Sequence, residues 1–293
     1  MCRALIVFFV LLNGCVREPV RTVTMTDDLG RAVRLEGVPD RLVSLAPSVT
    51  ELIYAAGGQS KLVGVTTADD YPPDVHHLTR ISALPVDFEA VLALDPDLVL
   101  ASEQVNGPND AATLAAVHVP TYFVSVANLD DVFRAIRTLG TLLDTEAVAH
   151  GNVDSLQRMR DRLRLRTQEI EHRPSTLFLI SDVTLYSFGH GSYMHELINI
   201  AGGRSITADL TTRAPVLTDE FVLAQQPDII VGPFGADFKP EHLLLHHPTW
   251  DVLGAIESGR VYALEASYFL RPGPRLVEGA WQLARVLHPD LEP

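Results

Sequence analysis

Histidine and serine motifs are the first candidates for chemistry in this sequence. Gly189-His190-Gly191-Ser192 brings a serine near a histidine, but glycines do not flank the serine as in a nucleophile elbow. His242 and His246 lie four residues apart, which suits metal chelation on a helix, yet no glutamate follows His242 as in zinc proteases. A phosphate-binding P-loop motif does not occur either. The sequence therefore argues against an enzyme, while zinc or manganese held by histidines and carboxylates stays an alternative.

The first residues have the features of a secretory signal. Arg3 precedes nine apolar residues, ALIVFFVLL, a segment too short to cross a bilayer, which needs about 20. The following Leu12-Asn13-Gly14-Cys15 resembles the bacterial lipobox, in which the cysteine is acylated and becomes the new N-terminus. We expect residues 1–15 to be a lipoprotein signal that ends at Cys15, and residues 16–21 to be a tether. The alternative is a plain signal peptide with an incidental cysteine.

Composition and charge exclude several classes of partner. The chain has 293 residues, enough for two domains, and its 47% hydrophobic content is that of a globular protein. The formal net charge is −14 and no basic stripe is present, so a nucleic-acid partner is not expected. The same charge argues against loose electrostatic adhesion to anionic lipid.

Two segments of the sequence recur in the same order. Residues 51–60 read ELIYAAGGQS and residues 196–205 read ELINIAGGRS, with seven of ten positions identical. Residues 87–102 read DFEAVLALDPDLVLAS and match TDEFVLAQQPDIIVGP at residues 218–233. Each member of the second pair indicates a helix that stops before proline, followed by an apolar strand. Each Gly-Gly pair suits the left-handed residue that ends a helix. The repeats predict two similar α/β lobes with mainly parallel sheets.

A polar segment between the repeats predicts one long helix that joins the lobes. Leu156, Met159 and Leu163 recur near helical spacing, and Pro174 ends the pattern. We therefore expect an N-terminal lobe over residues 22–143, a linking helix over 144–173 and a C-terminal lobe over 174–293. Such a helix would span roughly 40 Å.

Several motifs together resemble the helical-backbone class of periplasmic binding proteins, which serve ABC importers of cobalamin, haem and ferric siderophores. The resemblance covers about residues 22–290 and is carried by DDLGR at 27–31, RLVSLAPSVTE at 41–51, DYPP at 70–73, LDPD at 94–97 and RPGPR at 271–275. It implies a ligand cleft between two lobes, a permease dimer as partner and a metal-chelate ligand. We expect a monomer that holds no cofactor of its own.

The resemblance also implies how the protein docks on its permease. In the family, an acidic residue from each lobe contacts arginines of the permease, one per subunit. Glu89 and Glu220 occupy the same place in the two repeats. Two exposed carboxylates on twin lobes suit recognition of a two-fold symmetric partner. The alternative is a pair of ordinary surface glutamates near helix starts.

Ligand-binding residues are expected in the cleft, where family members close aromatic side chains over a flat macrocycle. The candidates are Tyr71, Ser102, Tyr186, Arg213, Tyr268, Phe269 and Arg271. Either arginine suits a carboxylate or phosphate of the ligand. Tryptophans often found in the family near the positions of Ala83, Ser102 and Ala214 are missing here. A corrinoid is the favoured ligand and a ferric siderophore the next, with bare zinc or manganese as the alternative and a lipid-anchored hydrolase as a distant one.

Overall fold

A computed structural model describes residues 22–235 and 237–291 of the chain. The predicted signal, Cys15 and the tether lie outside these residues. The strands are β1 Thr22–Thr26, β2 Ala32–Glu36, β3 Leu42–Ser44, β4 Leu62–Thr66, β5 Thr79–Ile81, β6 Leu98–Ser102, β7 Thr121–Val124, β8 Ser175–Phe178, β9 Arg204–Ser205, β10 Ile229–Gly232 and β11 Val261–Ala263. The α-helices are α1 Pro47–Ala56, α2 Phe88–Ala93, α3 Pro108–Ala115, α4 Leu129–Leu143, α5 Glu146–Thr167, α6 Tyr193–Ile200, α7 Asp219–Gln225, α8 Glu241–His246, α9 Gly254–Glu257 and α10 Leu276–Leu287. Short 3-10 helices lie at Gln59–Lys61, Pro73–His77, Pro248–Val252 and Ala266–Tyr268. No helix in the described ranges is long and apolar enough to cross a membrane.

The two lobes have the same strand order. After the antiparallel β1–β2 hairpin, the N-terminal lobe forms a parallel sheet in the order β5-β4-β3-β6-β7. The C-terminal lobe forms a parallel sheet in the order β9-β8-β10-β11 when read in the same sense. Aligning β3 with β8 makes the orders identical, and β5 is an additional edge strand. The prediction of two similar α/β lobes with mainly parallel sheets is therefore confirmed.

The repeated Pro-Asp dipeptides directly precede equivalent strands, β6 and β10, in the two lobes. One Oδ2 atom of Asp97 accepts hydrogen bonds from the backbone N–H groups of Asp40 and Arg41, each at 2.9 Å, just before β3. In the C-terminal lobe, Oδ2 of Asp228 accepts from the N–H and the hydroxyl of Ser175, each at 2.7 Å, at the start of β8. The aspartates recur because each fixes the first strand of its sheet to the strand beside it.

Both Gly-Gly pairs end their helices as predicted. Gly57 after α1 has φ +87° and Gly202 after α6 has φ +86°, the left-handed conformation that favours glycine. A Cβ atom on Gly58 would lie 2.4 Å from Leu143, and one on Gly203 would lie 2.7 Å from Leu287. A side chain on the second glycine of each pair would therefore displace Leu143 of α4 or Leu287 of α10.

A linking helix joins the lobes over Glu146–Thr167 and, at about 1.5 Å per residue, is about 33 Å long. It begins two residues later and ends six residues earlier than the predicted 144–173. Asp144 adopts a left-handed φ of +60° ahead of it, and Gln168 closes it. One continuous core includes buried side chains from both lobes, such as Leu139 and Leu283. The lobes are thus packed on each other and are not joined by the helix alone.

Alanine substitution of Gly57, which ends α1, and of Gly151, which lies within α5, will have opposite effects. Gly57→Ala places a Cβ at positive φ and 2.9 Å from Val148, so we expect it to lower the free energy of unfolding by about 1–3 kcal/mol. Gly151→Ala is the control, because its Cβ meets nothing within 4 Å inside α5 and alanine favours helix, so stability should rise by up to about 1 kcal/mol. Urea unfolding measures both. Equal changes in the two variants would contradict this reading of Gly57.

Candidate functional site

The candidate site is built from loops that follow the carboxyl ends of the parallel strands. In an open parallel sheet these ends lie at one edge, where α/β proteins bind ligands. In the N-terminal lobe, β4 leads to Tyr71 and β6 leads to Glu103. In the C-terminal lobe, β8 leads to Tyr186 and β11 leads to Tyr268. The facing edges of the two sheets therefore supply the side chains of the cleft.

A buried ion pair joins the lobes at the base of the cleft. Arg275 donates from Nε to Glu51 Oε2 at 2.9 Å and from Nη2 to Oε1 at 2.5 Å. The Glu51 side chain is 1% exposed. Burial raises the pKa of Glu51, and the hydrogen bonds and charge of Arg275 oppose that rise. The guanidinium carbon of Arg275 lies 4.2 Å from the ring centroid of Tyr71 and 5.1 Å from that of Tyr268. Cation–π contacts thus bring one tyrosine of each lobe onto the same arginine.

A second ion pair joins the lobes nearer to solvent. Arg271 donates to both carboxylate oxygens of Asp70, with the Nη2–Oδ2 bond at 2.9 Å, and also to the carbonyl of Ala68 at 3.3 Å. The hydrogen bond from Arg271 lowers the pKa of Asp70, whose usual value is 3.8. The contribution of this pair to stability is therefore present at neutral pH and lost as the pH falls through the folded pKa, below 3.8.

A third ion pair connects other loops of the two lobes. Arg213 Nη1 lies 3.6 Å from Glu103 Oε1, and that oxygen also accepts a hydrogen bond of 2.6 Å from the Ser125 hydroxyl. The Arg213 side chain is 77% exposed, so this pair is weaker than the buried one. In all three pairs the acid comes from the N-terminal lobe and the arginine from the C-terminal lobe.

The repeat has a matching contact on the other side of the lobe junction. Glu196 of α6 corresponds to Glu51 of α1 in the repeated Glu-Leu-Ile words. Its Oε2 atom accepts a 2.8 Å hydrogen bond from the backbone N–H of Leu129, the first residue of α4. Glu51 likewise holds Arg275, the residue immediately before α10. Glu196 therefore binds the backbone at the start of α4, where a negative charge is favoured, whereas Glu51 binds the side chain of the residue that precedes α10.

The predicted ligand residues fall into two groups in the structure. Tyr71, Tyr268 and Arg271 lie together around Arg275 and the two inner ion pairs. Tyr186, which is 44% exposed, lies on a separate hairpin and pairs antiparallel with Val216. Arg213 belongs to the same part of the C-terminal lobe, because its carbonyl accepts a 2.8 Å hydrogen bond from the Gly189 N–H.

Two predicted ligand residues are placed in the interior instead. Phe269 is fully buried and packs on Phe178 with ring centroids 5.7 Å apart. Ser102 is also buried, and its hydroxyl accepts a hydrogen bond of 3.3 Å from the N–H of Gln104. In this structure Phe269 fills the core and Ser102 shapes the turn after β6, so ligand contact by these two buried residues stays a prediction.

Sequence reasoning missed the acids that pair with the cleft arginines. Glu51 belongs to a repeated segment and to the motif at 41–51, and Arg275 belongs to the Arg-Pro-Gly-Pro-Arg motif. Asp70 adjoins Tyr71, and Glu103 adjoins Ser102. Position in a motif was the available signal for Glu51 and Arg275. No spacing rule could pair them, because 224 residues separate them in the chain.

The comparison with known proteins identifies the family. A family model described as periplasmic binding protein matches residues 42–268. The chain belongs to this family. A relative named ABC transporter substrate-binding lipoprotein YvrC, from Bacillus subtilis (strain 168), is 30% identical over 305 residues, which cover 98% of this chain and 96% of that protein. The vitamin B12-binding protein of Vibrio cholerae is 31% identical over 255 residues, which cover 85% of this chain and 89% of that one.

A solved periplasmic binding protein has the same architecture. The crystal structure of the periplasmic vitamin B12 binding protein BtuF of Vibrio cholerae gives a TM-score of 0.73 at 27% identity, covering 85% of this chain and 97% of that chain. The resemblance inferred from sequence motifs and the two-lobed fold are thus confirmed. Membership of the periplasmic binding protein family places the protein outside the cytoplasm.

The two candidate docking glutamates of this periplasmic binding protein occupy equivalent helix starts. Glu89 is the second residue of α2, and Glu220 is the second residue of α7. Asp87 caps α2 by accepting a 3.0 Å hydrogen bond from the Ala90 N–H, and Thr218 caps α7 in the same way at 3.2 Å. Both glutamates are exposed. Hydrogen bonds with its own backbone and with Thr218 lower the pKa of Glu220.

His242 and His246, singled out in the sequence as possible metal ligands, both lie on α8. His242 Nδ1 accepts a 3.3 Å hydrogen bond from the Lys239 N–H, and its ring meets Phe238 edge-on. His246 is exposed at the end of α8. Within residues 22–235 and 237–291, no group of three or more His, Cys, Asp or Glu is placed to hold a metal ion.

Loss of Arg275 will destabilise the protein far more than loss of Arg271. Arg275→Met leaves the Glu51 carboxylate buried without its partner, which costs about 3–5 kcal/mol. Arg271→Gln frees an Asp70 side chain that is already 59% exposed, which costs at most about 1 kcal/mol. A double variant, Glu51→Leu with Arg275→Met, should recover most of the loss because no unpaired charge remains. Denaturant unfolding of all three variants measures the change in the free energy of unfolding. Equal losses for Arg275→Met and Arg271→Gln would contradict the prediction.

Proposed function

We propose that this chain, the substrate-binding protein of an ABC importer, captures a corrinoid in its cleft and delivers it to the membrane permease. The observation that carries the proposal is the charge balance of the cleft. Arg213, Arg271 and Arg275 each face a carboxylate of the other lobe. A polyanionic ligand such as a carboxylate-rich ferric siderophore would have to break these pairs, whereas cyanocobalamin carries no net charge.

Apolar side chains near the strand ends support a broad, largely apolar ligand. Tyr71, Tyr186, Leu84, Val183 and Val216 are exposed despite their apolar character. Contiguous exposed apolar residues mark binding surfaces, and Tyr186 and Val216 are directly paired. Their burial against a corrin ring would stabilise the complex by about 25 cal/mol per Å² of apolar area. The vitamin B12-binding relative at 31% identity is consistent with this ligand class.

A ferric siderophore is the second candidate, and Arg213 is the observation that favours it. The side chain is 77% exposed, and its distance of 3.6 Å from Glu103 is longer than that of a hydrogen bond. An exposed guanidinium can turn to a carboxylate or hydroxamate oxygen at little cost. Direct binding of zinc or manganese is a third candidate, and zinc is therefore included in the dialysis experiment below.

The membrane association and the docking mode complete the proposal. Acylation of Cys15 would anchor the protein on the outer side of the membrane, as the lipoprotein name of the Bacillus relative suggests. Glu89 would contact arginines of one subunit of the permease dimer, and Glu220 would contact arginines of the other. Their equivalent, exposed positions at two helix starts support this role, because a two-fold partner needs two matched contacts.

Ligand binding is tested by equilibrium dialysis against cyanocobalamin, cobinamide, haem, a ferric siderophore and zinc. We expect retention of the corrinoids and no retention of the other ligands. Tyr186→Ala should weaken corrinoid binding by about 1–3 kcal/mol, the usual effect of removing an aromatic contact. Leu165→Ala, which truncates another exposed apolar side chain, on the linking helix, should leave affinity unchanged. Retention of the siderophore but not the corrinoids would replace the first candidate with the second.

Docking is tested with the double variant Glu89→Ala and Glu220→Ala in vesicles that contain the permease and its ATPase. We expect ligand affinity to stay at the wild-type value while transport falls at least about tenfold, because two exposed charge contacts are lost. A matched double variant, Glu169→Ala with Glu171→Ala, removes two exposed carboxylates after the linking helix and should transport normally. Normal transport by the first double variant would show that these glutamates do not dock.

A further inference from the structure

His247 is a buried histidine with a hydrogen-bond partner on each ring nitrogen. Nδ1 lies 2.7 Å from Asp219 Oδ1, and Nε2 lies 3.1 Å from the carbonyl oxygen of Asp182. The ring stacks on Trp250 with centroids 4.6 Å apart. The imidazole is thus fixed in position and orientation by three contacts from three segments of the C-terminal lobe.

The partners of His247 can only accept hydrogen bonds. A carbonyl oxygen has no proton, and an ionised carboxylate has none either. Each contact is therefore a hydrogen bond only where the facing ring nitrogen carries a proton, and the two contacts lie on opposite sides of one rigid ring. A glutamine at this position has one donor group at the end of a flexible chain and cannot hold both partners in the same way.

The two partners belong to the two functional ends of the C-terminal lobe. Asp219 is the first residue of α7 and precedes Glu220, the proposed docking carboxylate. Asp182 lies in the loop that leads from β8 to Tyr186, the proposed ligand contact. Backbone bonds connect the same segments, because the Leu217 N–H donates to the Leu185 carbonyl at 2.9 Å.

The N-terminal lobe has no acceptor at the corresponding position. In the repeat, Thr218 corresponds to Asp87, so Asp219 corresponds to Phe88. A phenylalanine side chain cannot accept the hydrogen bond that Asp219 accepts from His247. The side-chain tie between the docking helix and a strand-end loop is therefore a feature of the C-terminal lobe.

We propose that His247 is a positioning residue that fixes Glu220 relative to the Tyr186 hairpin, so that ligand contact at the cleft is transmitted to the docking helix α7. This proposal rests on the proposed ligand cleft and on the proposed docking role of Glu220. His247 touches neither ligand nor permease; it acts through Asp182 and Asp219. The C-terminal lobe would then report ligand occupancy to the permease, while Glu89 would dock independently of it.

Hydrogen exchange of the purified protein tests the proposal without a permease. The variants are His247→Gln and its neighbour control His246→Gln, which changes an exposed histidine of α8. Without ligand, we expect the Val222 N–H of α7 to exchange about tenfold faster in the His247 variant than in wild type or control, from the loss of one hydrogen bond that holds the helix start. With cyanocobalamin, wild type should gain protection at residues 181–188 and at 218–226, and the His247 variant at 181–188 only.

Equal exchange of α7 in wild type and the His247 variant, with and without cyanocobalamin, would overturn the proposal. If no variant binds cyanocobalamin, the ligand assignment fails, and the ligand-free comparison still decides whether His247 holds α7. Melting temperatures are measured first, because His247 is buried. If the glutamine variant does not fold, Asp219→Ala removes the same contact from its more exposed side and is expected to give the same α7 exchange.

Discussion

The architecture of this protein depends on two carboxylates that cross between its lobes. Glu51 binds Arg275 before α10, and Glu196 binds the backbone N–H of Leu129 at the start of α4. Glu196 meets the positive end of a helix in the other lobe, Glu51 meets a guanidinium of the other lobe, and the Glu51 pair is almost fully buried. A buried charge is costly without its partner, so the two lobes are held in one relative position.

This fixed position determines the character of the cleft. The core continues from one lobe into the other, and a close-packed core resists large displacements. The cleft therefore changes through its loops and exposed side chains more easily than through rotation of whole lobes. The Asp70–Arg271 and Glu103–Arg213 pairs belong to these exposed loops, because each pair has an exposed partner. They leave the cleft electrically balanced, which is the basis for proposing a ligand without net negative charge.

Most of the fold could be predicted from the sequence because the same order of helix and strand motifs occurs in both halves of the chain. The Pro-Asp words, the Gly-Gly helix ends and the alternation of helices and strands are local features, and the structure confirms each of them. The linking helix was predicted too long, since only tertiary packing shows that the backbone leaves the helix after Thr167. The site was predicted less well. Phe269 and Ser102 lie in segments whose residue types suit a binding loop, but both side chains are buried. The local sequence does not show which way a loop side chain points.

The sequence by itself determined the family through its ordered motifs. It also determined the two-lobed plan and the equivalent positions of Glu89 and Glu220, because these depend on segments that repeat in the same order. Only the tertiary structure decided which charges meet. Glu51 and Arg275 are 224 residues apart, and Asp70 and Arg271 are 201 apart. His247 likewise meets Asp219 and Asp182 only after the C-terminal lobe has folded. Such pairs require the loops of two sheets to face each other, and that juxtaposition is a property of the packed lobes.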